Sequence, residues 1–256
     1  MDIIYSEEIS AVEIKKEGST TISANIFYDI LRKLLPNSEI KIVLDNQNKL
    51  KLESGNSKFN LFCISPENFP LSEEDFKNKT FQINPKKLLK LLNKTKISMS
   101  GDETRHYLNG IFFHKTTIKD KTYLTGVSTD SHRLSSSSIE IEPNIDLEPV
   151  ILPKKTIFQL LSLLEETSKD IKISNDKSKI KFEMTNGVLI SKVIDGKFPD
   201  YSKVIPANNE KKLETNLNDF KNSMERVVSV SSDRKEGLKM KLSKDSIQLS
   251  VNNPNS

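Results

Sequence analysis

Four stretches of the chain share one pattern: a short extended run, a helix-start signal, then apolar residues at every third or fourth position. They are TISANIFYDILRKLL, FQINPKKLLKLLNKT, VILPKKTIFQLLSLLEE and LETNLNDFKNSMERVV. The apolar faces are Ile26, Ile30 and Leu34; Leu88, Leu91 and Leu92; Ile157, Leu160, Leu161 and Leu164; and Phe220, Met224, Val227 and Val228. Residues recurring at i, i+3 and i+4 mark one face of an amphipathic helix. Proline or a small polar residue opens each, as a first helical turn accepts. Taking Ala24, Pro85, Pro153 and Asn216 as equivalent points, the spacings are 61, 68 and 63 residues.

Alternating, strand-like segments follow the helices. EIKIVLDNQNKLKLESGNSKFNLFCI after the first matches DIKISNDKSKIKFEMTNGVLISKVI after the third, with their IKI triplets 131 residues apart at Ile40 and Ile171. Both stretches end near a Phe-Pro pair, Phe69-Pro70 and Phe198-Pro199, 129 residues apart. LKMKLSKDSIQLSVNN restarts the pattern after the fourth helix. The expected fold is therefore α+β, built from units of about 65 residues that pair into domains of about 130, with helices on one face of antiparallel sheets. By the phase of the repeat the chain is expected to begin and end in mid-domain, as a fragment or truncated product of a longer three-domain repeat.

Composition narrows the chemistry. The eight glycines are never closer than nine positions, so no GxGxxG turn or GxxxxGK phosphate loop exists. Three histidines and one cysteine, Cys63, offer no thiolate zinc site and no HExxH pair. Carboxylate-only magnesium sites, and with them a metal-dependent nuclease, stay open among 35 acidic residues. Asp130, Ser131 and His132 have the residue types of a hydrolase triad, but consecutive side chains splay and cannot line up as nucleophile, base and orienter. No run approaches the roughly eighteen apolar residues of a membrane span. One cysteine and no basic-then-apolar leader at MDIIYSEEIS point to a cytoplasmic protein.

The net charge is only +4, but it is segregated. Lys86, Lys87, Lys90, Lys94 and Lys96 crowd the second helix without an acid, and Lys154 and Lys155 open the third. Acids gather in connecting segments, at Glu73, Glu74 and Asp75 and at Glu140, Glu142, Asp146 and Glu148. A lysine stripe on its own suits a solvated face as well as a phosphate surface; its recurrence on the helical face of a repeat favours phosphate.

Three tracts exceed what helix and strand patterning needs: RHYLNGIFFH from Arg105, STDSHRLSSSS from Ser128 and DGKFPDYSKVIP from Asp195. In these the chain resembles the bacterial sliding clamps, the beta subunits of DNA polymerase III, whose tracts run close to R-Y-Y-L-N-G, T-D-G-H-R-L and D-G-x-F-P-D-Y-x-x-V-x-P. The resemblance spans essentially the whole chain. It implies the second half of clamp domain 1 over residues 1–75, a complete domain 2 over 76–200 and the first part of domain 3 over 201–256. It also implies a non-enzymatic ring, a head-to-tail homodimer at full length, that encircles double-stranded DNA and needs no cofactor or metal. A truncated, inactive clamp fragment is the alternative within the same family.

Site residues follow from the same resemblance. A pocket for short peptides of the polymerase catalytic subunit, the clamp loader and repair proteins is implied at Leu108, Thr129, Ser131, His132, Arg133, Leu134, Pro199, Lys203 and Val204. DNA contact is implied at Lys86, Lys87, Lys90, Arg105, His106, Tyr107, Lys154 and Lys155. Ile30 and Phe59 match one side of the family's ring-closing interface and Val230 the other. Three positions depart from the usual pattern: Ser131 replaces glycine, Lys203 arginine and His106 tyrosine. Ser131 is expected to alter the backbone or narrow the pocket, and Lys203 forgoes a planar fork.

Overall fold

The computed structural model describes residues 3–45, 49–69, 76, 80–231 and 237–251. Pro70 and the acids Glu73, Glu74 and Asp75, with the boundary expected after residue 75, lie outside these residues. The chain divides into two units, Met1–Pro199 and Asp200–Ser256. The first runs β1 (Ile3–Glu7), α1 (Ala24–Leu31), β2 (Lys41–Leu44), β3 (Lys49–Ser54), β4 (Ser57–Phe62), β5 (Phe81–Ile83), α2 (Pro85–Thr95), β6 (Gly110–Ile118), β7 (Lys121–Thr129), β8 (Leu134–Glu140), β9 (Val150–Pro153), α3 (Lys154–Glu166), β10 (Ile171–Asn175), β11 (Lys179–Glu183) and β12 (Gly187–Lys192). The second contains α4 (Leu217–Val228) and the hairpin β13 (Lys239–Leu242) with β14 (Ile247–Ser250).

All four expected helices form, and their starts are set by local chemistry. The Asn84 side chain accepts from the amides of Lys86 and Lys87 at 3.1 and 3.4 Å, and Pro85 supplies a first helical residue that has no amide to satisfy. Asn216 caps α4 in the same way, from Asn218 at 2.9 Å and Asp219 at 3.2 Å.

Each of the first three helices is followed by an antiparallel three-stranded meander, β2-β3-β4, β6-β7-β8 or β10-β11-β12. The second and third meanders exchange strands. β5, which leads into α2, pairs with β10, placing Ile83 opposite Ile171. β9, which leads into α3, pairs with β6, placing Leu152 opposite Ile111. α2 and α3 consequently pack side by side over one shared core. Leu88, Leu91 and Leu92 of α2 and Ile157, Leu160, Leu161 and Leu164 of α3 meet Ile111, Phe113, Ile173, Phe182 and Leu189 of the sheets. Burying each such side chain contributes about 1.5–3 kcal/mol.

Two features differ from the sequence pattern. α1 and α4 have apolar faces as clear as those of α2 and α3, yet neither contains a buried residue. Ile26 and Ile30 of α1 and Leu34 just beyond it line, with Asp29, Lys33, Ser57 and Phe59, an open groove of about 330 Å³ between the helix and its own meander. β1, which carries no strong sequence signal, joins the edge of the larger sheet, pairing with β12 so that Tyr5 lies opposite Leu189. Among the described residues no helix is long and apolar enough to cross a membrane.

Gly110 sits where β6 and β9 approach closely. A Cβ there would lie 2.1 Å from the Leu152 carbonyl oxygen, a backbone atom that cannot move aside. Gly110→Ala is expected to lower the urea midpoint sharply or prevent folding, whereas Gly101→Ala, with nothing within 4 Å of the added carbon, leaves the midpoint nearly unchanged.

Candidate functional site

Two of the three motif tracts are drawn together by hydrogen bonds in the first unit. The first forms a 3-10 segment, Glu103–Leu108, opened by Asp102. The Asp102 carboxylate accepts from the Thr104 amide at 2.9 Å and hydroxyl at 2.6 Å, and from Arg105 Nε at 2.9 Å. Those bonds, Thr104's first, hold its pKa below the usual carboxylate range. Leu108 is buried beneath the segment and its carbonyl accepts from the Ser100 amide at 3.0 Å.

The second tract is the turn between β7 and β8, organised by Asp130. One carboxylate oxygen accepts from the amides of His132 and Arg133, both at 3.0 Å, and the other from Arg133 Nε at 2.9 Å. These bonds, the His132 amide's foremost, hold the Asp130 carboxyl down to about 2 despite partial desolvation. The Thr129 hydroxyl donates to the Arg133 carbonyl at 2.8 Å and accepts from the Ser131 amide at 3.1 Å. No catalytic line-up exists among Asp130, Ser131 and His132: Asp130 binds backbone and arginine, and the Ser131 hydroxyl faces Arg105 Nη1, which donates to it at 2.7 Å.

Ser131 resolves one of the departures noted above. Its φ is 76°, in the left-handed region that glycine enters freely and other residues enter at a cost of about 1–2 kcal/mol. Ser131 thus holds a backbone conformation open to glycine, and its hydroxyl accepts from Arg105.

The third tract is divided between the two units. Asp195 to Pro199 lie in the first. The Asp195 carbonyl accepts from His106 Nε2 at 3.3 Å, and Gly196 passes so near Tyr107 that a Cβ would lie 3.1 Å from its Cβ. His106 meets Tyr107 edge-on at 5.8 Å between ring centroids, with His106 exposed and Tyr107 half-buried. Phe198 is buried and stacks on Phe112 at 4.9 Å, and Phe112 stacks on His114 at 4.5 Å. Burial pushes the His114 pKa down, favouring its neutral form. In the second unit the Asp200 carboxylate accepts from the Ser202 hydroxyl at 2.6 Å and pairs with Lys203 at 3.1 Å; Val204 is exposed.

The expected residues therefore fall into four groups. Leu108, Thr129, Ser131, His132, Arg133 and Leu134 surround the two linked turns; Pro199 is exposed at the end of the first unit, and Lys203 and Val204 lie in the second. Lys86, Lys87, Lys90, Lys154 and Lys155 are exposed on α2 and α3, away from the core leucines, and among the described residues none makes an ion pair. Arg105 differs in being already engaged by Asp102 and Ser131. Ile30 and Phe59 are half-buried in the α1 groove, and Val230 is exposed in the second unit. Sequence reasoning missed Asp102 and Asp130 as organisers of their turns. An aspartate two residues before a capped amide was the available signal. Among the described residues there is no group of three or more His, Cys, Asp or Glu side chains suited to a metal ion.

Models of the DNA polymerase III beta subunit match the chain in domain order: the N-terminal domain over residues 1–73, the central domain over 82–200 and the C-terminal domain over 202–256. The beta sliding clamp of Rickettsia felis is 37% identical over 98% of the chain, and that of Caulobacter vibrioides is 32% identical over 94%. The Bartonella birtlesii clamp solved with griselimycin is 38% identical, with a TM-score of 0.93, and aligns over all of this chain and 68% of its own. The chain belongs to the beta sliding clamp family. The clamp of Caulobacter crescentus, 31% identical, superposes over the same share with a TM-score of 0.96, which identifies the α+β helix-and-meander repeat as the DNA clamp fold. The chain spans 66% of the length of the curated Rickettsia clamps.

The Asp130 turn has a defined pH response. Its folded pKa of about 2 lies below the usual carboxylate range, so its contribution to stability is fully present above about pH 4 and is lost as pH falls through 2. The amide shifts of His132 and Arg133 should titrate with a midpoint near 2. A midpoint near 4 would mean that the carboxylate does not hold the turn.

Proposed function

We propose that the protein to which this chain belongs is the processivity clamp of the replicative DNA polymerase, a non-catalytic ring closed around double-stranded DNA. Residues 1–75, 76–200 and 201–256 belong to its first, second and third clamp domains. The single observation that carries this reading is the arrangement of α2 and α3: their leucines share one core and their lysines all face away from it. Lys86, Lys87, Lys90, Lys154 and Lys155 meet backbone phosphate without reading sequence, which suits a protein that must slide. His106 and Tyr107 add ring surface beside them for an unpaired template base.

The linked turns at Leu108, Thr129 and Ser131–Leu134 carry the docking site for peptides of the polymerase catalytic subunit, the clamp loader and other clamp-binding proteins, a site to which the family resemblance also assigns Pro199, Lys203 and Val204. An apolar floor with ordered polar turns is what a short extended peptide needs for anchorage and direction. Ile30 and Phe59 close the homodimeric ring against Val230 of a second copy, covering the apolar side chains of the α1 groove. The site of action is the cytoplasm, where the DNA is.

Topology gives the test. With clamp loader and ATP, the full-length protein should be retained on nicked circular DNA through gel filtration and be lost once the circle is cut. Equal retention on linear and circular DNA would contradict encirclement. Replacing the five lysines by alanine should flatten the salt dependence of duplex binding, each lost phosphate contact removing about 0.9 from the log–log slope. An unchanged slope would remove these lysines from the DNA surface.

A further inference from the structure

The reading of the Glu103–Leu108 segment as DNA-facing and of the 129–134 turn as a peptide site leaves one contact without a role: the bond between Arg105 and Ser131 that joins them. We infer that Ser131 is a positioning residue that ties Arg105 to the 129–134 turn, so that a DNA phosphate taken by Arg105 is coupled to the backbone of the peptide site. This rests on the proposed roles of the two segments.

The geometry limits what Arg105 can do. Its guanidinium is a rigid planar fork whose Nε donates to Asp102 at 2.9 Å and whose Nη1 donates to Ser131 at 2.7 Å. Asp102 occupies the Nε side of the fork, so a phosphate that takes the parallel Nη1–H and Nη2–H pair competes with Ser131 for Nη1. Asp102 holds its place by charge, by three residues' proximity and by two further bonds from Thr104. Ser131 is a neutral acceptor from a separate loop, so it is the one released. Its left-handed backbone then keeps the tie from its own amide to the Thr129 hydroxyl but loses the one that anchors the turn to the Glu103–Leu108 segment. By reciprocity, a ligand that holds the 129–134 turn in its present form weakens phosphate binding at Arg105 by the same factor.

The test uses the full chain labelled with ¹⁵N and a short single-stranded oligothymidylate. In the wild-type chain the amides of Thr104–Tyr107 and those of Thr129–Leu134 should shift together. Ser131→Ala keeps a Cβ in the same backbone region and removes only the hydroxyl; the Thr104–Tyr107 shifts should remain and the Thr129–Leu134 shifts should disappear. Ser131→Asn, which tolerates a left-handed backbone and restores an acceptor, should bring the second set back. Thr129–Leu134 shifts that persist in Ser131→Ala, or that are absent in the wild type while Thr104–Tyr107 respond, overturn the coupling alone. A wild-type chain in which Thr104–Tyr107 do not respond overturns the coupling together with the DNA-facing reading.

Discussion

The exchange of leading strands between the second and third helix-and-meander repeats is the constraint on which the rest depends. Because β5 completes the meander of α3 and β9 completes the meander of α2, neither repeat closes its sheet alone. Pairing Ile83 with Ile171 and Leu152 with Ile111 fixes where both helices begin, since each helix starts within one or two residues of its leading strand. The helices then have one arrangement available, side by side over a common core. Their lysines are turned outward together as a consequence, without any attraction between like charges being needed.

The same architecture supplies the motif turns. β6 begins at Gly110, where the LNG tract must pass beneath Leu152, and that contact carries the Glu103–Leu108 segment to one end of the sheet. The 129–134 turn sits at the same end because β7 pairs antiparallel with β6. Arg105 therefore reaches Ser131 across 26 residues of sequence. Asp102 and Asp130 organise their turns alike, Asp102 collecting the amide and hydroxyl of Thr104 and Asp130 the amides of His132 and Arg133, each with one arginine, and both carboxyls are held ionised well below neutral pH.

Much of this was legible in the chain. The periodic leucines of α2 and α3, their opening Asn-Pro and Pro-Lys signals and the paired IKI meanders specify the helices and strands because burial and capping act locally. The strand exchange was not legible: periodicity identifies a strand but not its partner, so β5 and β9 read as lead-ins to their own helices. β1 was missed because five residues with one mixed face carry little pattern. α1 and α4 show the converse, since an amphipathic face reports what a helix is able to bury, whereas burial itself depends on the surfaces around it. Family resemblance marked Ser131 as a departure from glycine, but only the structure reveals that a left-handed φ and an arginine contact accommodate it.

The central claim is that the helical face of the 81–192 repeat pair, and not its sheets, meets DNA. Lysine acetylation footprinting on the full-length protein loaded onto circular duplex tests it directly. The account predicts protection of Lys86, Lys87, Lys90, Lys154 and Lys155 on the helices and unchanged reactivity of Lys172, exposed on β10. Protection of Lys172 with the helical lysines left reactive would contradict it.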